Sequence, residues 1–240
     1  MERVKVPSEK QTILFEPLTI EGLLGTLSSM SSDYCINSAR VLREIIAKDK
    51  KRLFDSINIT KTQKTLGTLE DVIGKKNLNI SNLAKDVSYD HKALLLFADP
   101  NLISNWLFIN GFESGTVIPS VNVAKRLEKR YGFPCPVAIW RTDVDSQNGQ
   151  RQIELFLPSP ESIKLNAEIA QREQRMEFET HTAFTVNANA NYSQVVADLL
   201  STGLSFDGNM TENRIENSST QYFINSLNAK RVELIKYNLH

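Results

Sequence analysis

His181-Thr182-Ala183-Phe184-Thr185-Val186 repeats, ninety positions on, the pattern of His91-Lys92-Ala93-Leu94-Leu95-Leu96. Both stretches are short, largely apolar and bounded by polar or turn-forming residues, so each predicts a strand. A helical stretch follows each one. Strand-like sequence then leads to a second matching pair, Gln152-Ile153-Glu154-Leu155-Phe156 and Arg231-Val232-Glu233-Leu234-Ile235. From His91 to Gly111 is 20 positions and from His181 to Gly203 is 22. From those glycines to Glu154 and Glu233 the gaps are 43 and 30, a difference of about one extra helix in the first cycle. The cycle reads strand, helix, three strands, and a repeat of this kind overrides single-segment readings. One βαβββ unit curls its sheet without closing it, so two are needed to enclose a pocket. The expected fold class is α+β, with paired βαβββ modules forming a curved mixed sheet around a cavity, behind a helical N-terminal region.

Working outward, residues 1–85 are expected to be helical, 86–160 to form the first module, 161–178 a connecting helix and 179–240 the second module. Val41, Leu42, Ile45 and Ile46 recur at helical spacing with Arg40, Arg43, Glu44 and Lys48 opposite them, and the helix can run on to Leu53, Phe54 and Ile57. Asp33 or Asn37 could cap it. Shorter helices are expected after Thr19, over Leu69–Ile73 and over Ile80–Lys85. In the first module, Asn101 or Ser104 is expected to cap a helix carrying Leu102, Trp106, Leu107 and Ile109. A strand over Thr116–Pro119 and a basic helix over Val123–Tyr131 come next. A hairpin of Val137–Thr142 with Gln152–Leu157 turns through Asp145-Ser146-Gln147-Asn148-Gly149. After a charged helix over Glu161–Met176, the second module should hold a helix over Tyr192–Ser201 and strands at Arg214–Glu216, Gln221–Asn225 and Arg231–Tyr237.

The 28 basic and 28 acidic residues of this 240-residue chain balance, so no net field draws it to nucleic acid or to an acidic membrane. No apolar run approaches the roughly 20 residues of a membrane span, and the first ten residues lack the apolar core of a secretion signal. Cys35 and Cys135 form no CxxC pair, which excludes a zinc ribbon or a disulfide framework. A cytoplasmic location is expected, leaderless secretion being left open. Gly-rich phosphate loops, nucleophile elbows and Cys-His signatures are absent, so no organic cofactor is indicated. The expected partners are a small-molecule substrate and, as an open alternative, a second copy of the chain; nucleic acid and membrane are not expected.

What the sequence does carry is the order His, Glu, His, Glu, each on a strand. Alternation puts His91 on one face with Ala93 and Leu95, and His181 with Ala183 and Thr185. The alanines leave room beside the histidines. Glu154 and Glu233 are each flanked by apolar residues, and a carboxylate turned into such a strand's buried face needs a partner, for which a cation serves. Singly, each histidine could be a surface residue and each glutamate the solvent-facing member of an alternating strand. Together they form a candidate divalent-metal site of His91, Glu154, His181 and Glu233. Imidazole with carboxylate favours Fe, Zn, Ni, Mn or Co over Ca or Mg. Three ligands (His91, His181, Glu233) would make the facial triad of non-haem iron oxygenases; four would suit Lewis-acid proton transfer, with Glu154 or Glu233 relaying the proton. Arg141 could hold a substrate carboxylate, or face outward. One of Tyr222 and Phe223 should line the pocket, and Tyr222 is the candidate substrate contact. Lys125-Arg126 with Lys129-Arg130 could meet phosphate or a partner, or be a helix's solvated face.

The His-x-Ala strand start, the Ile/Val-Glu-Leu strand end and the doubled βαβββ order resemble the vicinal oxygen chelate superfamily over residues 89–240. That superfamily includes glyoxalase I, type I extradiol dioxygenases, 4-hydroxyphenylpyruvate dioxygenase, methylmalonyl-CoA epimerase and fosfomycin-resistance proteins. The resemblance implies a metal enzyme whose small oxygenated substrate chelates the ion through adjacent oxygens, either a non-haem Fe(II) dioxygenase or a glyoxalase- or epimerase-like lyase or isomerase. It maps the four-ligand set onto His91, Glu154, His181 and Glu233, and the dioxygenase triad onto His91, His181 and Glu233. Asp90-His91-x-Ala is also similar to the 2-oxoadipate dioxygenase/decarboxylase group, which carries arginine where this chain has Leu95. The alternative from another class is a ligand-binding or protein-interaction module that keeps the fold without turnover.

Overall fold

In the computed structural model the described residues are 33–74, 80–112, 115–146, 149–159, 167–213 and 217–238. The helix expected after Thr19 and the strand expected at 214–216 lie outside them, as do the first residues of the charged helix and the centre of the hairpin turn.

Helix α1 runs over Asp33–Thr62. Ile45, Asp49, Leu53 and Ile57 recur every four residues and form its buried stripe. Asp49 is a carboxylate in an otherwise apolar row, and it survives there because backbone and side-chain donors meet both of its oxygens. Its Oδ2 accepts from the backbone N–H groups of Phe97 and Ala98, and its Oδ1 from Gln174 Nε2. Helices α2 (Thr65–Ile73) and α3 (Ile80–Asp86) follow. Strand β1 covers Val87–Leu95, starting four residues before His91 because Val87 and Tyr89 bury against the second module.

Helix α4 (Pro100–Ile109) is capped by Asp99, whose side chain accepts from Asn101 N. The expected caps, Asn101 and Ser104, are instead inside the helix, since Pro100 fits the first helical position. Strand β2 (Thr116–Pro119) and helix α5 (Val121–Tyr131) come next, the helix closing at Gly132 with φ 78°. Strands β3 (Val137–Ser146) and β4 (Gly149–Pro158) form a hairpin longer than the expected pair. Helix α6 (Ala167–Met176) leads to the second module: β5 (His181–Val186), α7 (Tyr192–Ser201), β6 (Leu204–Phe206), β7 (Thr211–Asn213), β8 (Ser218–Asn225) and β9 (Arg231–Tyr237).

The nine strands make one mixed sheet in the order β2-β3-β4-β1-β5-β9-β8-β6, with β7 also on β8. In both halves the first strand pairs parallel with the last, β1 with β4 and β5 with β9, while β1 and β5 join the halves antiparallel. The architecture is α+β, as the repeat predicts, with the histidine strands at the centre of the sheet and the glutamate strands flanking them.

Helices cover one face. Leu53, Ile57, Ile103, Trp106 and Leu107 pack on Leu94, Leu96, Ile153 and Leu155 of the first half. Helices α2, α3 and α7 pack on Tyr89, Phe184, Phe223, Val232 and Leu234 of the second. Each such fully buried side chain is worth about 1.5–3 kcal/mol of transfer free energy. On the opposite face α5 and α6 close over Ala93, Leu95, Phe97 and Phe156. Among the described residues no helix is long and apolar enough to cross a membrane.

Candidate metal centre

Register fixes which side chains meet. Ala93 of β1 lies opposite Glu154 on β4 and His181 on β5, and Ala183 lies opposite Glu233 on β9. Two methyl side chains therefore sit where two imidazoles and two carboxylates converge, on the face that α5 and α6 partly close. All four groups are buried: His91 is 5% exposed, Glu154 6%, His181 2% and Glu233 8%. His181 Nε2 is 2.6 Å from Glu233 Oε2, and His91 Nε2 is 3.4 Å from that same oxygen and 3.7 Å from Glu154 Oε2. Ligand atoms of His91, Glu154 and His181 all lie within 4.8 Å of one another. The structure thus brings together all four residues that the sequence pattern singles out.

The nitrogens are oriented by what holds their other side. His91 Nδ1 lies 3.0 Å from Asp90 Oδ1, and His181 Nδ1 lies 3.1 Å from the Glu179 carbonyl oxygen. A carboxylate and a carbonyl only accept, so both Nδ1 atoms carry the proton and both Nε2 atoms face the cluster. Both Nε2 atoms are buried and complete no well-directed hydrogen bond, although carboxylate oxygens stand beside them. Buried nitrogen lone pairs without a donor, next to carboxylate oxygens, are the donor set a divalent ion of the zinc or iron type accepts. The residues fit the group.

Without a cation, protons bind the cluster together. Burial alone would lower the basicity of His91, but the Glu154 carboxylate, Asp90 and Glu233 outweigh it and raise its pKa well above the ordinary value. Burial would likewise raise Glu233, yet the His181 and His91 imidazoles hold it well below the usual carboxylate range. A metal ion would take the place of those protons, which makes its affinity pH-dependent.

Aromatic and cationic residues wall the cluster. The His181 ring lies between Tyr222, at 5.5 Å with an edge-on geometry, Phe156 at 5.9 Å, and His91 at 5.6 Å. Tyr222 stands opposite Glu233 in register, while Phe223 turns into the helix-covered core, which settles which of the two reaches the site. Burial first, then the negative charge of Glu233, pushes the Tyr222 phenol far above its usual pKa, so it stays a neutral O–H donor. Arg141 is opposite Glu154 on β3, and its Nε donates to Glu154 Oε1 at 2.5 Å. It therefore faces the cluster, with its side chain 31% exposed.

The basic run on α5 divides: Lys125 and Lys129 are exposed, as a solvated helix face would be, whereas the two arginines are paired. Arg126 donates to Glu179, and Arg130 donates to Glu173 and Glu179, two carboxylates with fully buried side chains. These pairs fasten α5 to α6 through Glu173 and to the segment that enters β5 through Glu179. Sequence reasoning also passed over Phe156 and the Asp90–Thr185 contact, in which the Thr185 hydroxyl donates to Asp90 Oδ2 at 2.5 Å. Phe156 follows Glu154 by two and so shares its face, a signal that alternation offered.

No family model matches the chain, and no curated protein matches it. Among solved structures, similar chains include methylmalonyl-CoA epimerase from Mycobacterium tuberculosis, at 16% identity over 63% of this chain and 88% of that one, with a TM-score of 0.38. A Streptomyces coelicolor methylmalonyl-CoA epimerase in complex with 2-nitronate-propionyl-CoA matches at 15% identity over 63% and 97%, with a TM-score of 0.36. A hypothetical protein from Bacillus halodurans C-125 matches at 11% identity over 64% and 96%, with a TM-score of 0.42. At these identities and TM-scores the matches carry no argument about this chain, and the chemistry rests on the geometry of the four-residue cluster.

Proposed function

We propose that this chain is a divalent-metal-dependent enzyme that moves a proton on a small substrate bearing adjacent oxygens, an isomerase or lyase of the vicinal oxygen chelate type. The observation that carries this reading is that Glu154 lies in one group of ligand atoms with both histidines, to which Glu233 adds a carboxylate oxygen beside both imidazoles, where a facial triad needs only three donors. Held by His91, His181, Glu233 and Glu154, the ion would polarise a carbonyl and stabilise negative charge on its oxygen.

The chain's own residues supply the rest. Glu154 is the carboxylate best placed to carry a proton, because Arg141 holds one of its oxygens while the other faces the cluster. Glu233 is committed to both imidazoles and keeps them in place. The Tyr222 hydroxyl can donate to a substrate oxygen, and Arg141, partly open to solvent, can pair with a substrate carboxylate. That combination suits an oxo or hydroxy acid. Phe156 and Ala93 keep the floor of the site apolar, which strengthens each of these interactions.

The Arg141–Glu154 ion pair favours one second reading. If it holds Glu154 off the ion, His91, His181 and Glu233 remain as the triad of an Fe(II) dioxygenase. The test is to load the metal-free protein with Zn(II), Mn(II), Co(II) or Fe(II), and to follow deuterium uptake from D2O into a panel of small 2-oxo and 2-hydroxy acids. The proton-transfer reading expects exchange that needs metal and falls about 100-fold or more in Glu154→Gln, with metal still bound. Oxygen consumption with Fe(II), undiminished in that variant, would replace it with the dioxygenase reading. Tight metal binding with neither exchange nor oxygen uptake would leave a binding module.

A further inference from the structure

Side chains alternate along a strand, so two consecutive residues cannot both face one site in regular pairing. Asp90 and His91 do. Tyr89 pairs with Phe184 and Lys92 with Thr182, so β1 advances three residues while β5 advances two. Asp90 and His91 together oppose one residue of β5, and the strand carries a bulge at the site. The flanking residues show the switch of face. Tyr89 packs with Phe184 and Phe223 in the helix-covered core, and Lys92 Nζ donates to Thr182 Oγ1 at 2.9 Å on that same side.

We propose that this bulge makes Asp90 the positioning residue for His91, a carboxylate placed behind the imidazole to fix its tautomer and strengthen its Nε2 as a metal donor. The proposal rests on the metal-centre reading of the four-residue cluster and adds a residue outside it. Asp90 is itself anchored. One carboxylate oxygen accepts from His91 Nδ1 and the other from the Thr185 hydroxyl, so a side chain of the second module holds the acceptor that orients a ligand of the first. The second module has no equivalent. Its histidine follows Thr180, and its Nδ1 donates to a neutral backbone carbonyl. An anionic acceptor raises imidazole basicity more than a neutral one, so the two histidines, alike in sequence pattern, are unequal ligands. His91 is the stronger.

The test titrates metal-free wild type, Asp90→Ala, Thr185→Val and Thr185→Ser with Co(II), by chelator competition and by the visible absorption of the bound ion. Thermal melts of the metal-free proteins are recorded alongside, with long-range 1H–15N spectra of their imidazoles taken at a pH high enough to leave both rings neutral. Asp90→Ala is expected to weaken Co(II) binding about 10–100-fold, and to erase the preference of His91 for the Nδ1–H tautomer while leaving that of His181. Thr185→Val should shift both readouts in the same direction by less, and Thr185→Ser should restore them, which a purely structural role of Asp90 would not produce. The proposal is overturned if wild type binds Co(II) and Asp90→Ala, or Thr185→Val should Asp90→Ala not fold, binds it equally tightly with His91 unchanged. A wild type that binds no Co(II) overturns this inference together with the metal reading beneath it, and so is told apart from the first outcome.

Discussion

Glu233→Ala in the metal-free protein tests whether the cluster is held by charge. The Glu233 carboxylate lies 2.6 Å from one buried imidazole nitrogen and 3.4 Å from another, and its side chain is 10% exposed. Removing it strips both histidines of their nearest shared negative charge in a site that water reaches poorly. Breaking a buried ion pair from one side costs about 3–5 kcal/mol. In a chain of this size each kcal/mol lowers the melting temperature by about 2–4 °C, so the variant should melt about 6–20 °C below wild type near neutral pH. Glu154→Ala is the internal control. Its loss leaves the Arg141 guanidinium, which is partly exposed, open to hydration, and His91 keeps Glu233, so a clearly smaller drop is expected. Calorimetry on both variants, with chelator present throughout, reads the difference. A Glu233→Ala melt within about 2 °C of wild type, or a larger loss in Glu154→Ala, would refute the placement of Glu233 as the shared counter-charge.

Three further outcomes follow from other parts of the fold. Burial is the largest influence on Asp49 and raises its pKa above the ordinary value in spite of the Phe97, Ala98, Gln174 and Arg52 contacts. Between the unfolded carboxylate value of about 4 and that raised value, the folded state holds more protons than the unfolded, so stability falls as pH rises through the window. The stability of wild type minus that of Asp49→Asn should therefore decline across it; parallel urea-melt profiles would contradict this. Arg151 is 4% exposed, donates to the Thr60 and Gln63 carbonyls at the end of α1 and lies over the Tyr89 ring at 4.6 Å. Arg151→Met should cost about 2–3 kcal/mol and speed amide exchange in the last turn of α1, whereas unchanged exchange there would exclude the capping role. Finally, Arg130→Met leaves Glu173 and Glu179 short of a cation and should lower the melting temperature by several degrees, about 1–3 kcal/mol; an unchanged melt would mean that α5 is not fastened there.

The parts of this molecule that the sequence discloses are those set by periodicity. His181–Val186, Tyr192–Ser201 and Arg231–Tyr237 have the bounds the pattern predicts, because their apolar period and flanking turn residues agree. The convergence of His91, Glu154, His181 and Glu233 was legible for a related reason, since a repeat that returns the same residue at the same strand position returns it to the same face. What was not legible depends on pairing between distant strands. Nothing local announces the bulge at Asp90 and His91, which exists only because Tyr89 and Lys92 both find partners on β5. The role of Arg141 likewise depends on its register with Glu154 thirteen residues on. The arginines of α5 look like a solvated face until Glu173 and Glu179 are brought beneath them from a separate segment. Asp49 was hidden by its own stripe, because helical spacing places a residue at a buried position without saying that backbone donors wait there.

The most direct test of the central claim is the metal content of the chain, measured by elemental analysis after expression in metal-replete medium and extensive dialysis, for wild type and His181→Ala side by side. The metal-centre account predicts about one divalent first-row ion per wild-type chain and its loss in His181→Ala, which removes one of the two buried Nε2 donors. Absence of bound metal from both proteins, or equal occupancy in the two, would contradict it.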